Sequence, residues 1–449
     1  MRIASGKCAG MYLAGAVWLI YSVCPPFLSY DSYWPMATAL SLIERGTTAV
    51  DPLVPGSPPE SRYGLECADA VGPAHFAAAP DGCPGGHWYS IYPIGTPVLA
   101  APLLLAMKGA VALIGPFVPR SGFFARREVA AFFSGDLLGG RPLAELWCAS
   151  TFGALAVWIQ YRIALLFLPR AAAMMLALLF AFGTSEWSVA SRNLFPQGLT
   201  VLLLSAALYF LLRSREVPAM AGWAGLSLAL SFAVRPSNAI ACVAVTIYVA
   251  VHQRQRLMQF LLPAAPVAAA FFGYQWWVKH SLLPLYLKTA LNPYPPLAGA
   301  AMHLFSPSRG LLIFTPIVLV SVAGAVLAWR RRWNFPLTAY LIAIVIAHGV
   351  LISWGWPGHG YGPRFFTDLT PIFMLFLIPA IQWWQETRGV ERRVTAIAFA
   401  VLAMWGVFTN GHGATSIAAN QWSALPANVD TARWRVWDWS DPQFLRGLK

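Results

Sequence analysis

The sequence predicts an all-α polytopic membrane protein, and three observations predict it. Of 449 residues, 58% are hydrophobic and only 11% charged, less than half the ~25% charge of ordinary soluble domains. Mean hydropathy is +0.58, and apolar runs of the roughly 17–25 residues that cross a bilayer recur along the chain. The remaining charges punctuate these runs. The formal net charge of +13, from 31 Lys and Arg against 18 Asp and Glu, would suit nucleic acid if it formed one patch. It falls instead in short clusters, Arg162/Arg170, Arg213/Arg215, Arg254/Arg256, Arg330–Arg332 and Arg388/Arg392/Arg393, which the positive-inside rule places in cytoplasmic loops. A soluble enzyme and a nucleic-acid partner are thereby excluded.

Arg2 and Lys7 precede a span-length run at 9–28 with no clean cleavage site after it, so a first span is expected rather than a signal peptide. Residues 29–143 then make a long first extracytoplasmic loop containing interfacial helices. In it Trp34–Glu44 reads as a helix ending near Gly46, and 51–87, rich in Pro, Gly and small residues, as irregular loop. The apolar run 93–118 is long enough to cross. Crossing would turn Arg330–Arg332 and Arg388–Arg393 outward, so it is expected as a re-entrant or interfacial helix interrupted by Pro97, Pro102, Lys108 and Pro116. Spans follow near 144–168, 171–187, 196–212, 219–234, 237–252, 258–277, 310–328, 336–353, 367–383 and 393–410. With the first they make about eleven transmembrane helices, N-terminus inside. Residues 1–411 form one transmembrane domain and 412–449 an extracytoplasmic aromatic tail.

Cys8, Cys24, Cys148 and Cys242 lie in or beside spans, where small buried hydrophobes are expected. Cys67 and Cys83 share the first loop, where an oxidising compartment permits a disulfide, and that pairing is expected.

By this topology only Glu216, Glu386 and Glu391 among the carboxylates are cytoplasmic, which favours an external carboxylate site. Asp31, directly after the first span in Ser29-Tyr30-Asp31-Ser32-Tyr33-Trp34, is the leading candidate. It or Ser32 can simply cap the following helix; its carboxylate can also take a proton from an acceptor hydroxyl. Glu44, Asp51 and Glu128 are the other bases in the same loop. Arg192, Arg235, Lys279, Arg309 and Arg364 all fall at external span ends, against the positive-inside bias. Each can snorkel to headgroups; together they favour a phosphate site, with Arg309 and Arg364, in Gly/Pro-rich turns, expected to contact it. Tyr33, Tyr89, Tyr92, His359 and Tyr361 are candidates for sugar or acceptor contact, and Trp422, Trp434, Trp437 and Trp439 in the tail either stack on sugars or form an interfacial belt. Histidines lack i, i+4 metal spacing. No cofactor is required by any motif, and a divalent metal is left open.

The order of these motifs resembles the GT-C superfamily of membrane glycosyltransferases, near the bacterial relatives of protein O-mannosyltransferases and aminoarabinose lipid A transferases (glycosyltransferase family 39-like). It rests on Tyr30-Asp31-Ser32-Tyr33 with Leu42-Ile43-Glu44-Arg45-Gly46, Tyr89-Ser90-Ile91-Tyr92-Pro93, Gly183-Thr184-Ser185-Glu186-Trp187, Ser306-Pro307-Ser308-Arg309-Gly310, Tyr361-Gly362-Pro363-Arg364-Phe365 and Trp437-Asp438-Trp439. The resemblance implies an inverting transferase in the bacterial inner membrane. It would move sugar from a polyprenyl-phosphate donor to an extracytoplasmic glycan, lipid or protein, with Asp31 as general base and membrane lipids as further partners. Many relatives carry an acidic pair where this chain has Asp31-Ser32, so the resemblance does not imply a metal. Two other classes fit the composition: a flippase for a lipid-linked glycan, which would ordinarily show repeat symmetry, and a non-catalytic membrane assembly factor.

Overall fold

The computed structural model describes residues 2–69, 75–76, 83, 85–285 and 294–448. The protein is an all-α membrane body with one small sheet. Helix α1 (Arg2–Ser22) leads into α2 (Tyr33–Arg45), which ends where Gly46, at φ 67°, takes the left-handed conformation and donates its N–H to the Leu42 carbonyl. Glycine adopts that backbone without a Cβ penalty. The Ser32 side chain makes no capping hydrogen bond.

The stretch expected to be irregular, 51–87, instead holds two strands of a three-stranded antiparallel sheet completed by a third. β1 (Leu65–Asp69) lies between β2 (His75–Phe76) and β3 (Gly86–Ser90), with Leu65 opposite Ser90 and Cys67 opposite Trp88. β2, with two residues, is too short to show a period-2 pattern, and Leu65-Glu66-Cys67-Ala68-Asp69 does not alternate strictly, while the Pro and Gly that suggested loop lie before β1 and between the strands. Cys67 and Cys83 are joined by a disulfide with Cα atoms 5.5 Å apart, the expected pairing.

Next comes α3 (Gly95–Ile114), continuous through Pro102 where interruption was expected. Pro97 sits in its first turn, where a missing N–H costs nothing, and Lys108 reaches Glu44 at 2.5 Å. The bundle follows: α4 (Arg127–Phe133), α5 (Arg141–Ala164), α6 (Arg170–Gly183), α7 (Pro196–Arg213), α8 (Met220–Val234), α9 (Ala239–His252), α10 (Leu257–Lys279), α11 (Pro296–Phe305), α12 (Leu311–Phe314), α13 (Val318–Arg330), α14 (Leu337–Ser353), α15 (Thr370–Glu386), α16 (Gly389–Thr415) and α17 (Ile417–Gln421).

Among the described residues six helices are long and apolar enough to cross a membrane. Five match expected spans and the sixth is the 95–117 helix. Of the other six expected spans, the first is α1, and five are apolar helices of 13–17 residues, with turns, 3-10 segments or, after α6, a π-helical turn at their ends. One short apolar helix, α11, was not expected at all.

α15 runs through the centre of the largest apolar core, with Ile372, Phe373, Met374, Leu375, Phe376, Leu377 and Ile378 all buried. α10 and α16 lie at its edge, joining it through Phe260 and through Phe399 and Leu402, and turn Met258, Leu262, Trp277, Ile397, Val401 and Met404 outward, as lipid-facing helices do. The centre is tight because α13 approaches α15 at Gly324, where a Cβ would stand 1.8 Å from the Phe376 carbonyl oxygen. Gly324→Val must therefore push the two helices apart. A loss of about 1–3 kcal/mol is expected, the range for overpacking a close-fitted core, read as a lower midpoint in thermal unfolding of the purified protein; an unchanged midpoint would show that this contact does not set the spacing.

Beyond Thr415 the tail folds back onto the bundle instead of forming a uniform aromatic belt. Trp422, Val429 and Val436 are buried with Met302, and Phe444 with Phe314 and Tyr361. Trp434, Trp437 and Trp439 stay exposed.

Candidate active site

The chain between α1 and α2 makes a sharp turn at 29–32 because Arg141, at the start of α5, holds it. Arg141 donates to the Ser29 carbonyl, lies over the Tyr33 ring at 5.0 Å and pairs with Glu145 one turn on at 2.5 Å. Glu145 also accepts the Leu194 N–H at 3.3 Å. This buried arrangement projects Asp31 away from the helix it precedes.

Three donors from distant parts of the sequence meet the Asp31 carboxylate. Oδ1 accepts from the hydroxyls of Tyr63 and Tyr92, the latter at 2.9 Å, and Oδ2 accepts from Arg364 Nη1 at 3.2 Å. Asp31 is thus no helix cap; its side chain remains 29% exposed. Burial pushes its pKa up, but the Arg364 charge and the hydrogen bonds from Tyr63, Tyr92 and Arg364 outweigh it and hold the carboxyl below its ordinary value. Burial, and then the Asp31 charge, push both tyrosines up. They are donors at neutral pH.

The sign for stability follows from the lowered pKa. Asp31 stabilises the fold at pH values above its unfolded pKa of about 3.9, and that contribution disappears as pH falls through the lower folded value. The difference in unfolding midpoint between the wild type and Asp31→Asn is expected to be constant from about pH 5 to pH 8 and to shrink below about pH 4. Thermal scans across that range check it; shrinkage already near pH 6 would mean a raised pKa.

Arg364 opens a 3-10 turn, Arg364–Leu369, whose other residues anchor it. Asp368 pairs with Arg235 at 2.7 Å, both buried; Thr367 donates to Ser185 at 2.9 Å; and His348 Nε2 meets the Phe365 carbonyl at 3.2 Å. Arg364 Nη2 donates to the Pro357 carbonyl at 3.1 Å, while Nε is buried without a partner among the described residues.

The other cations expected at a common phosphate are each held by partners other than Asp31. Arg309 is 1% exposed, and its guanidinium donates to Ser308 O, Gln443 Oε1, Gly358 O and Ser423 Oγ. It ties the tail to the bundle. Arg192 is buried against the Tyr21 carbonyl and Ser191. Lys279 pairs with Glu66 and donates to Ser90 O at 2.6 Å, fastening α10 to the sheet.

Of the expected sugar contacts only Tyr92 reaches Asp31. Tyr33 is buried edge-on against Trp34. Tyr89 is half-buried on β3. Tyr361 is 3% exposed and donates to the Thr409 carbonyl, a core position with no open ring face. His359 is exposed and meets Asn428 Oδ1 at 3.0 Å. Of the alternative bases, Glu44 pairs with Lys108, and Asp51 takes the Trp88 N–H at 3.0 Å. Among the described residues no three His, Cys, Asp or Glu side chains gather as a metal-ligand set.

Tyr63, Arg141, Glu145 and Asp368 were missed from sequence. The i, i+4 spacing of Arg141 and Glu145 was legible as a helical ion pair; Tyr63 had no signal beyond being aromatic in a long loop.

No family model and no curated protein matches this chain. Among solved structures, the crystal structure of the Archaeoglobus fulgidus oligosaccharyltransferase in the apo form is similar, with 12% identity and a TM-score of 0.41 over 95% of this chain. The chain spans 60% of the length of that protein.

Proposed function

We propose that this protein is a membrane glycosyltransferase of the GT-C type that uses a polyprenyl-phosphate sugar and an extracytoplasmic acceptor, with Asp31 as the general base. One observation carries the reading. An ionised carboxylate offers about four acceptor sites, and three are taken by Tyr63, Tyr92 and Arg364, leaving one on a side chain that is still partly exposed. An acceptor hydroxyl fits that remaining site. As its oxygen attacks the anomeric carbon, its proton passes to Asp31, the bond from that carbon to the lipid phosphate breaks, and the phosphate leaves with the electron pair. A low pKa makes Asp31 a modest base in the ground state, but the hydroxyl acidifies as the new bond forms. The tyrosines and Arg364 keep the carboxylate ionised and aimed.

Arg364 is the cation that can also meet the departing phosphate, since Asp31 and Pro357 occupy two of its five N–H donors. Arg235 holds the Arg364 turn through Asp368, and Lys279 holds the sheet through Glu66 and the Ser90 carbonyl.

The same reading keeps α3 on the Asp31 side of the membrane. Gly95 at one end packs on the backbone of Ala233, and Gly115 at the other on Phe133 O. Phe132 in turn lies on Gly140 and on Trp147 at the first turns of α5, so both ends of α3 rest at the Asp31 end of the bundle. Cysteines placed at the exposed positions Glu60 and Ser121, either side of α3, are expected to be labelled by an impermeant reagent from the same side. Labelling from opposite sides would make α3 a span.

The function is tested with purified protein and a radiolabelled polyprenyl-phosphate sugar. Loss of label from the lipid to an acceptor supports a transferase. Movement of intact lipid-linked sugar between leaflets, or neither event, would replace it with a flippase or an assembly factor.

A further inference from the structure

A polar cavity lies at the end of the bundle away from Asp31. It is an open cleft of about 530 Å³ between the ends of α7 and α9, the start of α10 and the start of α14, and Arg215, Tyr248, Arg254, Arg256 and Phe335 are among its walls. α9 and α10 begin and end, respectively, beside the active-site supports Arg235 and Lys279. With 14 and 23 residues at a rise of about 1.5 Å each, they place the cavity roughly 20–35 Å from those residues.

Its charge is unbalanced. Arg215 donates only to neutral oxygens, Asn334 Oδ1 at 2.5 Å and the Tyr248 hydroxyl at 3.4 Å; Arg256 likewise meets Gln253 Oε1 and the Arg215 carbonyl, both at 3.3 Å. The Arg254 guanidinium has no partner among the described residues. No carboxylate lines the cavity, and the nearby Glu216 is tied to Arg213 at 2.5 Å. Arg332 adds a fourth cation, 4.5 Å from the Phe335 ring on the rim. The 3-10 turn Arg254–Arg256 that leads into α10 also opens here, so the cavity lies at the positive end of that helix's dipole, which favours an anion. Arginines dispersed only to mark topology need not share a cavity; these three do, and none is neutralised.

We infer that this cavity binds the phosphate of a phosphate ester, by way of Arg215, Arg254 and Arg256. Guanidinium donors match phosphate oxygens in pairs, and the Tyr248 hydroxyl supplies a neutral donor. Val251 on the wall and Met258 just beyond it are exposed, so the site suits either a lipid headgroup, with its chains along these apolar residues, or a soluble phosphate. This assignment does not depend on the chemistry at Asp31.

The test uses the full-length protein in phosphatidylcholine nanodiscs, titrated separately with phosphatidylglycerol and with inorganic phosphate. Saturable binding of either is expected, and Arg254→Gln should weaken it about tenfold, the effect of losing one charged hydrogen bond. Arg254 holds no structural partner, so the unliganded variant should unfold at the wild-type midpoint; the triple variant Arg215→Gln/Arg254→Gln/Arg256→Gln should abolish binding. Response to phosphatidylglycerol alone identifies a lipid source, and response to phosphate alone a soluble one. Either supports the site. Binding of neither by the wild type, or wild-type binding by Arg254→Gln and the triple variant, overturns it.

Discussion

Asp31→Asn is expected to fold, to reach the membrane in normal amount, and to lose sugar transfer by at least ~100-fold, the low end of what general-base catalysis contributes. Asn keeps the size of Asp and an oxygen that can still accept from Tyr63 and Tyr92. It gives up the negative charge facing Arg364 and the capacity to take a proton. Since the Ser32 side chain makes no cap bond and the carboxylate is turned away to its own three donors, a capping defect cannot explain the loss. Turnover of the radiolabelled donor by the variant measures it, alongside membrane yield. Activity within a few-fold of wild type would remove Asp31 as the base and return attention to Glu44, Asp51 and Glu128.

Arg235→Met is expected to give the largest loss of stability, about 3–5 kcal/mol, because it strands the fully buried Asp368 without its cation. The damage should not stay local. Asp368 shares a 3-10 turn with Arg364, so the Arg364–Asp31 contact loosens with it. The double variant Arg235→Met/Asp368→Leu removes both charges and should recover much of the stability, since replacing a buried pair by apolar side chains is often neutral. Denaturation midpoints of the two variants settle the matter. A double variant as unstable as the single one would mean that the guanidinium acts through something other than Asp368.

How far the sequence could be read differs element by element for physical reasons. The helices were legible because a long apolar run in water has almost nowhere to go but a membrane, and backbone groups in lipid must bond within their own helix. The Cys67–Cys83 pairing was legible from two thiols in one loop. The sheet that holds Cys67 was not, because β1 does not alternate apolar and polar residues and β2 has only two residues, and α3 was misread as broken because Pro102 punctuates the sequence without stopping the helix. Among the cations, position at the end of an apolar run was equally visible for Arg364, Arg235, Lys279 and Arg309. Position alone cannot tell a ligand contact from an internal pair.

Composition and hydropathy by themselves determined that the chain is a helical membrane body, that Asp31 stands directly after the first apolar run, and that arginines concentrate at helix ends. These are properties of single positions and their neighbours, set by the cost of placing charge in hydrocarbon. Only the tertiary structure decided what each charge faces. Tyr63, Tyr92 and Arg364 lie 32, 61 and 333 residues from Asp31, and Glu66, Asp368 and Gln443 claim the cations that seemed free. A buried ion must find a partner or neutralise, but the sequence does not say which of many distant partners packing will bring within reach.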